Sequence, residues 1–255
     1  MHLDAHGYDD PDTIAALILD RPRPLLLGLD LDGVLAPIVA HADDAALLAG
    51  MHDALRSAAE LADVIVAVVS GRSVADLDRF GFPTGIEVIG SHGVERRGSD
   101  MTPLTDDERA VLQILEHHAK LASATAGRGA WIERKPASIV LHVRQAEPEA
   151  ARQALAQFDA ALASIDESSA KAGSAVLEAF VRHGDKGLAL SAVADHVGAA
   201  TIVFVGDDVT DEDAFAHLRP RDIAIKVGDA ETIAQHRLRD PHDVLALLRA
   251  VIVHG

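Results

Sequence analysis

Two acidic residues lie one position apart, directly after an apolar run. Asp30 and Asp32 stand in the string DLDGVLAP, which follows the apolar residues 25–29. Such a run predicts a buried strand, and alternation along an extended chain points both carboxylates the same way. Gly33 then lets the backbone turn away. The pattern predicts two carboxylates at a strand's carboxyl end, where open α/β sheets bind ligands. The alternative is an Asx-type turn after a core strand.

Three further polar signals fall at predicted strand ends or helix starts. Ser70 follows the apolar run 64–69, and Lys186 stands in the string GDKG. The acidic string GDDVTDED follows a third apolar run and contains Asp207, Asp208 and Asp211. Taken singly, these signals are a helix N-cap, an exposed lysine and a solvated helix start. Taken together, they supply a hydroxyl, a fixed cation and metal-binding acids.

This combination of residue types suits phosphoryl transfer. An Asp carboxylate can attack phosphorus and form an aspartyl-phosphate, and a second carboxyl can protonate the leaving oxygen and later activate water. Mg²⁺ prefers oxygen ligands, typically one or two carboxylates with phosphate and water. A lysine and a hydroxyl can hold the other phosphate oxygens. The sequence therefore predicts a magnesium-dependent reaction on a phosphate ester.

The composition excludes several other classes of protein. The 255 residues carry a net charge of −17, which disfavours nucleic acid and anionic membranes as partners. The chain has no cysteine, so a disulfide scaffold and a thiol nucleophile are both excluded. No apolar stretch is long enough to span a membrane, and the first residues lack a signal-peptide pattern. We expect a cytoplasmic protein, with a monomer as the working expectation.

Competing metal and phosphate motifs fail on inspection. An EF-hand loop that began at Asp30 would need Gly and Glu where the chain has Leu35 and His41. A loop that began at Asp207 would place Leu218 at its twelfth position. No GxGxxG, P-loop or HExxH string is present. A receiver-type signalling domain also uses an acceptor Asp, Mg²⁺ and Lys, but it is shorter and has its acid pair before the acceptor strand.

The order of predicted elements indicates one α/β domain interrupted by an insertion. Strands at 25–29, 64–69 and 87–90 alternate with helices, one of them predicted from the apolar spacing of residues 43–61. The alternation returns after Gly184. The middle predicts a small α+β module with an antiparallel sheet, with helices at 105–124 and 148–164 and strands at 131–134, 138–144 and 175–181. We expect a core of residues 1–100 and 182–255 and a cap of residues 101–181.

The four motifs, in this order, resemble the haloacid dehalogenase superfamily of phosphatases. DLDGVLAP, SGRS, GDKG and GDDVTDED match its first to fourth motifs. The resemblance implies a Rossmann-like core with a parallel sheet, in which Asp30 is the nucleophile and Asp32 the general acid/base. It implies that phosphate is bound by Ser70, Gly71, Arg72 and Lys186. It also implies a Mg²⁺ site formed by Asp30, the Asp32 carbonyl and Asp207, with Asp208 or Asp211 assisting.

Within that superfamily, the chain resembles the trehalose-6-phosphate phosphatase family. The strings that match are GSHGVE, ERKPASIVLHVR and a Glu eight residues before Lys186. By resemblance, the sugar-binding candidates are His92, Glu133, Lys135, His142, Arg144 and Glu178. The alternatives are structural: His142 and Arg144 could each pair with an acid, and Glu133 could be an edge-strand charge. One departure is Phe180, where the family often has Arg; Arg182 is the candidate to compensate.

The resemblance implies hydrolysis of trehalose-6-phosphate with Mg²⁺, on a small sugar phosphate as the binding partner. A phosphatase for sucrose-phosphate or mannosyl-phosphoglycerate would share every core motif, so only cap residues discriminate. A non-catalytic sensor of sugar phosphate, or a partner of a synthase, would be expected to lack Asp30 or Asp32. Both acids are present.

Overall fold

The computed structural model describes residues 7–39, 41–98, 104–165, 168–173, 175–182 and 184–255. The chain forms two compact units, one of residues 1–99 and 184–255 and one of residues 100–183. The predicted boundary between residues 100 and 101 lies outside the described residues. Among the described helices, none has the length and apolar character needed to span a membrane.

The elements follow one another in chain order with short connections. The helices are α1 (Pro11–Leu19), α2 (Met51–Ala59), α3 (Val74–Asp78), α4 (Asp106–Ala126), α5 (Pro148–Leu162), α6 (Lys186–Val197), α7 (Val209–His217) and α8 (Pro241–His254). The strands are β1 (Leu25–Leu29), β2 (Val64–Val69), β3 (Glu87–Gly90), β4 (Glu95–Arg96), β5 (Trp131–Arg134), β6 (Ser138–His142), β7 (Ser169–Gly173), β8 (Val176–Phe180), β9 (Thr201–Gly206), β10 (Ile223–Val227) and β11 (His236–Leu238).

A seven-stranded sheet in the order β11-β10-β9-β1-β2-β3-β4 forms the centre of the larger unit. All neighbouring strands are parallel except β3 and β4. Because β1 and β9 are buried on both faces, they are apolar along their whole length. The strand order reverses between these two, so the ends of β1 and β9 flank the crevice where such sheets bind ligands.

Helices cover both faces of this sheet. On one face, side chains of α1, α2 and α8 pack on alternate residues of β1, such as Leu27 and Leu29. On the other face, α6 packs closely over Gly28, where an added Cβ would lie 2.5 Å from Leu190 Cδ2. A glycine in the middle of a central strand therefore brings α6, and with it Lys186, against the sheet.

One predicted helix is shorter than the sequence indicates. Apolar spacing predicts a helix over residues 43–61, but α2 begins only at Met51. Gly50 precedes it in the left-handed conformation, with φ 89°, and the backbone N–H of Leu48 donates to the carbonyl of Leu35 at 3.0 Å. That bond to a distant loop replaces the helical hydrogen bond that residues 45–50 would otherwise form.

The smaller unit is a four-stranded antiparallel sheet, β5-β6-β8-β7, covered on one face by α4 and α5. Its core contains Phe158 from α5 and Leu141 from β6. Because side chains alternate along a strand, Glu133 and Glu178 lie on the opposite face of the sheet from this core. The strand β7, SAKAG, has no apolar alternation to predict it.

Candidate active site

Asp30 is a buried carboxylate at the carboxyl end of β1. Its Oδ1 accepts from the N–H of Leu31 at 2.7 Å, and its Oδ2 accepts from Nζ of Lys186 at 2.9 Å. Burial raises the pKa of the Asp30 carboxyl, and the charge of Lys186 opposes that rise. Burial lowers the pKa of Lys186, but Asp30 and Asp211 outweigh it and raise that pKa above the ordinary lysine value. Lys186 is therefore a fixed cation beside Asp30.

Asp32 is held differently, in a forked ion pair with Arg72. Nε of Arg72 donates to Oδ2 of Asp32 at 2.7 Å, and Nη2 donates to Oδ1 at 2.8 Å. The side chain of Asp32 is 40% exposed, whereas that of Asp30 is 7% exposed. A carboxyl group that is oriented by a guanidinium and open to water suits proton exchange, while the enclosed Asp30 suits attack.

An acidic cluster lies where β1 and β9 end side by side. Carboxylate oxygens of Asp30, Asp207 and Asp211 all lie within 4.8 Å of one another. Burial, followed by the charges of Asp211 and Asp208, raises the pKa of Asp207 to about 7. Such a carboxylate is stabilised by a nearby cation.

The donor set fits a small divalent cation. All ligands on offer are oxygens, as Mg²⁺ prefers. Gly33, with φ 76°, leaves the space that the cluster needs, since an added Cβ would lie 2.0 Å from Oδ2 of Asp207. Asp208 is outside the cluster of three: it is the N-cap of α7 and its Oδ1 accepts from the N–H of Val209. Of the two predicted assisting acids, the structure thus brings Asp211 to the others.

The loop Ser70–Gly71–Arg72 is fixed by the segment after β3. Ser70 is buried, and its carbonyl accepts from the N–H of His92 at 2.9 Å. His92 has a left-handed backbone, with φ 55°, and its ring lies over Gly71, where an added Cβ would be 2.6 Å from Cε1. The structure thus places His92 beside the predicted phosphate-binding loop.

The other predicted sugar-binding residues share one face of the smaller unit's sheet. Nζ of Lys135 lies 3.1 Å from Oε1 of Glu178, which also accepts from Oγ of Ser138 at 2.7 Å. Nε2 of His142 lies 3.0 Å from Oε2 of Glu133. Arg144 is exposed, two residues beyond His142, and has the same parity. The structure therefore brings these residues into one polar surface, with both of the acids already paired.

A family comparison agrees with this geometry. The family model described as trehalose-phosphatase matches residues 28–242. A trehalose-6-phosphate phosphatase of Escherichia coli is 33% identical over 230 residues, which cover 87% of this chain and 84% of that protein. This chain belongs to the trehalose-phosphatase family. A trehalose-phosphate phosphatase of Mycobacterium ulcerans is 34% identical over 260 residues, but the chain, 93% covered, spans only 65% of that relative's length.

Solved structures show the same fold. The C-terminal domain of a Candida albicans trehalose-6-phosphate phosphatase superposes with a TM-score of 0.76 at 19% identity, over 97% of this chain and 99% of that one. A haloacid dehalogenase-like hydrolase of Bacillus subtilis superposes with a TM-score of 0.59 at 17% identity, over 88% of this chain and 98% of that one. The predicted haloacid dehalogenase fold is confirmed.

At the position where the trehalose-phosphatase family often has Arg, this chain buries Phe180 at the end of β8. Arg182 donates from Nε and Nη2 to the two carboxylate oxygens of Glu108, at 3.0 and 2.6 Å. Glu108 also closes the capping box of α4 with Thr105. Arg182 thus binds the first turn of α4, a contact that its sequence position does not predict.

Sequence reasoning missed three residues near these surfaces. Lys226 is a buried lysine within the apolar string IAIKV, and that contrast was an available signal. Trp131, the only tryptophan, stacks on His142 with ring centroids 3.8 Å apart. Lys171 lies opposite Glu178 in the β7–β8 register, and only the unpredicted strand β7 brings it there.

Proposed function

We propose that this protein is a Mg²⁺-dependent phosphatase that hydrolyses trehalose-6-phosphate to trehalose and phosphate. The observation that carries the proposal is the pairing of the enclosed Asp30, held by Lys186, with the water-exposed Asp32, held by Arg72. These are the environments that a nucleophile and a general acid/base need. Membership of the trehalose-phosphatase family supports the choice of substrate.

In the first step, an oxygen of Asp30 attacks phosphorus and the bond from phosphorus to the sugar oxygen breaks. The carboxyl of Asp32 donates its proton to that oxygen, so that trehalose leaves as a neutral alcohol. The charge of Lys186 keeps Asp30 ionised in its buried position, because a buried carboxylate without a cation would take up a proton. Ser70 and Gly71 are proposed to hold the phosphate oxygens, with Arg72 orienting Asp32.

In the second step, the carboxylate of Asp32 takes a proton from water, which attacks the aspartyl-phosphate. The bond from phosphorus to Asp30 breaks and phosphate leaves. Asp207 and Asp30, with the main-chain carbonyl of Asp32 and assistance from Asp211, are proposed to hold Mg²⁺. When bound there, the ion would offset negative charge on the transferring phosphoryl group.

We infer that the polar surface of the smaller unit selects the sugar. Glu178 and Lys135 offer an acceptor and donors to hydroxyl groups, and Glu133 with His142 offers a second such pair. Their mutual contacts hold the side chains ready at low entropic cost, since rotamers are already restricted before binding. His92 and Arg144 are proposed to complete the sugar contacts.

A trapping experiment tests the proposal. The Asp32→Asn variant keeps the nucleophile but lacks the group that activates water, so a phosphoenzyme formed from trehalose-6-phosphate should persist. Mass spectrometry of the quenched protein should show one added phosphate on the peptide that contains Asp30. The variant Asp30→Asn should show none. A phosphate found on another residue, or no adduct under single-turnover conditions, would contradict the proposed nucleophile.

A further inference from the structure

Lys226 is a buried cation in the middle of an apolar strand. Its side chain is 2% exposed, and its neighbours Ile225 and Val227 belong to the hydrophobic core. Burying an ammonium group is costly unless it is paired and hydrogen-bonded. Its partners therefore indicate what the charge is for.

Both partners of Lys226 belong to the loop that carries the acidic cluster. Nζ donates to the main-chain carbonyl of Asp207 at 2.7 Å and lies 3.1 Å from Oε1 of Glu212. Oε2 of Glu212 accepts from the N–H of Ile233 at 3.0 Å and from Oγ1 of Thr232 at 3.1 Å. The pair thus connects β10 to the first turns of α7 and to the loop that follows β10.

The other main-chain group of Asp207 is also held by a buried charge. Its N–H donates to Oδ2 of Asp211 at 2.8 Å, and the N–H of Asp208 donates to the same oxygen at 2.9 Å. The N–H of Asp207 is therefore fixed by Asp211 and its carbonyl by Lys226. With its backbone held on both sides, the carboxylate of Asp207 has little freedom to leave the cluster.

We propose that Lys226 is a positioning residue that sets the place of the Asp207 carboxylate for Mg²⁺. The inference rests on the proposed function, because that function supplies the ion. Partners of metal ligands commonly contribute about 10- to 100-fold in metal affinity. Lys226 acts on the ligand through the backbone, so its loss should weaken metal binding while all of the carboxylates remain.

Titration of Mg²⁺ into the protein without substrate, followed by calorimetry at 25 °C, tests this role. The variant Lys226→Met keeps the length of the side chain and removes its charge. We expect it to bind Mg²⁺ about 10- to 100-fold more weakly than the wild type. Lys120→Met is the matched control, since it removes a lysine from an exposed pair with Glu116, and it should bind Mg²⁺ as the wild type does.

A double variant separates positioning from stability. Lys226→Met leaves Glu212 without its cation, whereas Lys226→Met combined with Glu212→Gln removes both charges and should recover thermal stability. It should still bind Mg²⁺ weakly, because the tether to the Asp207 carbonyl is gone; if the single variant does not fold, the double variant carries the comparison. Wild-type affinity in either folded variant would overturn the role of Lys226 alone. A wild type that binds no Mg²⁺ would overturn the metal site and this inference together.

Discussion

The two acids of DLDG are distinguished by the cations that hold them. Lys186 donates one hydrogen bond to Asp30, whereas Arg72 donates two parallel bonds to Asp32. A guanidinium fixes the plane of a carboxylate, which an ammonium group cannot do. The difference in geometry matches the difference in proposed task, since only the proton donor must be aimed at the leaving oxygen.

Arg72→Lys should therefore slow the chemical step. Because general acid–base catalysis contributes about 10²–10⁴-fold, we expect kcat for trehalose-6-phosphate to fall by about 10- to 100-fold, with KM little changed. An aryl phosphate, whose leaving group needs no proton, should lose less. Steady-state kinetics on both substrates check this, with Arg79→Lys as the control at an exposed pair with Asp43. A rise in KM on both substrates with kcat unchanged would instead assign Arg72 to phosphate binding.

Glu178→Ala tests sugar selection at a single residue. If Glu178 contacts a hydroxyl group, kcat/KM for trehalose-6-phosphate should fall by about 10- to 1000-fold, since each charge-assisted hydrogen bond is worth about 1.5–3 kcal/mol. Hydrolysis of an aryl phosphate should be nearly unchanged. Kinetics on the two substrates and a thermal melt decide the matter. Equal loss on both, with a lower melting temperature, would mean that Glu178 only holds Lys135 and Ser138 within the sheet.

At the scale of elements, the turn after β1 sets the space for the acidic cluster. Gly33→Ala introduces a Cβ 2.0 Å from Oδ2 of Asp207 and should displace that carboxylate. We expect Mg²⁺ affinity to fall by 10-fold or more, by calorimetric titration. Gly81→Ala is the matched control, because Gly81 also has a positive φ but nothing lies within 4 Å of the added Cβ. It should cost about 1–2 kcal/mol of stability and leave Mg²⁺ binding unchanged; parallel losses of affinity would contradict the account.

The connection between α7 and β10 depends on a buried acid, Asp222. Its carboxylate accepts from the N–H of Ile202 and from the backbone and guanidinium of Arg219. Burial raises the pKa of Asp222, but these hydrogen bonds outweigh it and lower the pKa below the ordinary value. The charged form therefore stabilises the fold above the unfolded-state pKa of about 3.9, and that contribution is lost as the pH falls through the folded-state pKa.

Asp222→Asn should lower the free energy of unfolding at pH 7 by about 2–4 kcal/mol, from the loss of several hydrogen bonds to a charged group. The difference from the wild type should shrink as the pH is taken below about 4. Urea unfolding over this pH range measures both effects. Asp43→Asn, at an exposed pair, should stay within about 0.5 kcal/mol of the wild type. A difference that is independent of pH would contradict the electrostatic account.

Elements with one dominant physical cause were predictable from the sequence. The run 25–29 is apolar because β1 is buried on both faces, and α6 begins at the predicted Lys186. Elements decided by distant partners were not: the Leu48–Leu35 hydrogen bond shortens α2, and β7 exists because β8 offers it an edge. Within the site, residue types predicted the chemistry, but pairings such as Arg72 with Asp32 depend on three-dimensional proximity.

At the scale of the whole molecule, a chain of net charge −17 must accept an anionic substrate. Its own field repels a phosphate ester, and two of the four acids around the catalytic crevice, Asp30 and Asp211, already share the charge of Lys186. Mg²⁺ would offset this excess where the phosphate binds. Dependence on the ion is thus expected from charge as well as from family membership.

Phosphate release from a panel of sugar phosphates, with Mg²⁺ and with EDTA, tests the central claim most directly. The panel contains trehalose-6-phosphate, sucrose-phosphate and a mannosyl-phosphoglycerate. We predict that kcat/KM is highest for trehalose-6-phosphate, by about 10-fold or more, because a lost polar contact costs at least one such factor. EDTA should abolish the activity and added Mg²⁺ should restore it. Full activity in EDTA, or preference for another member of the panel, would contradict the account.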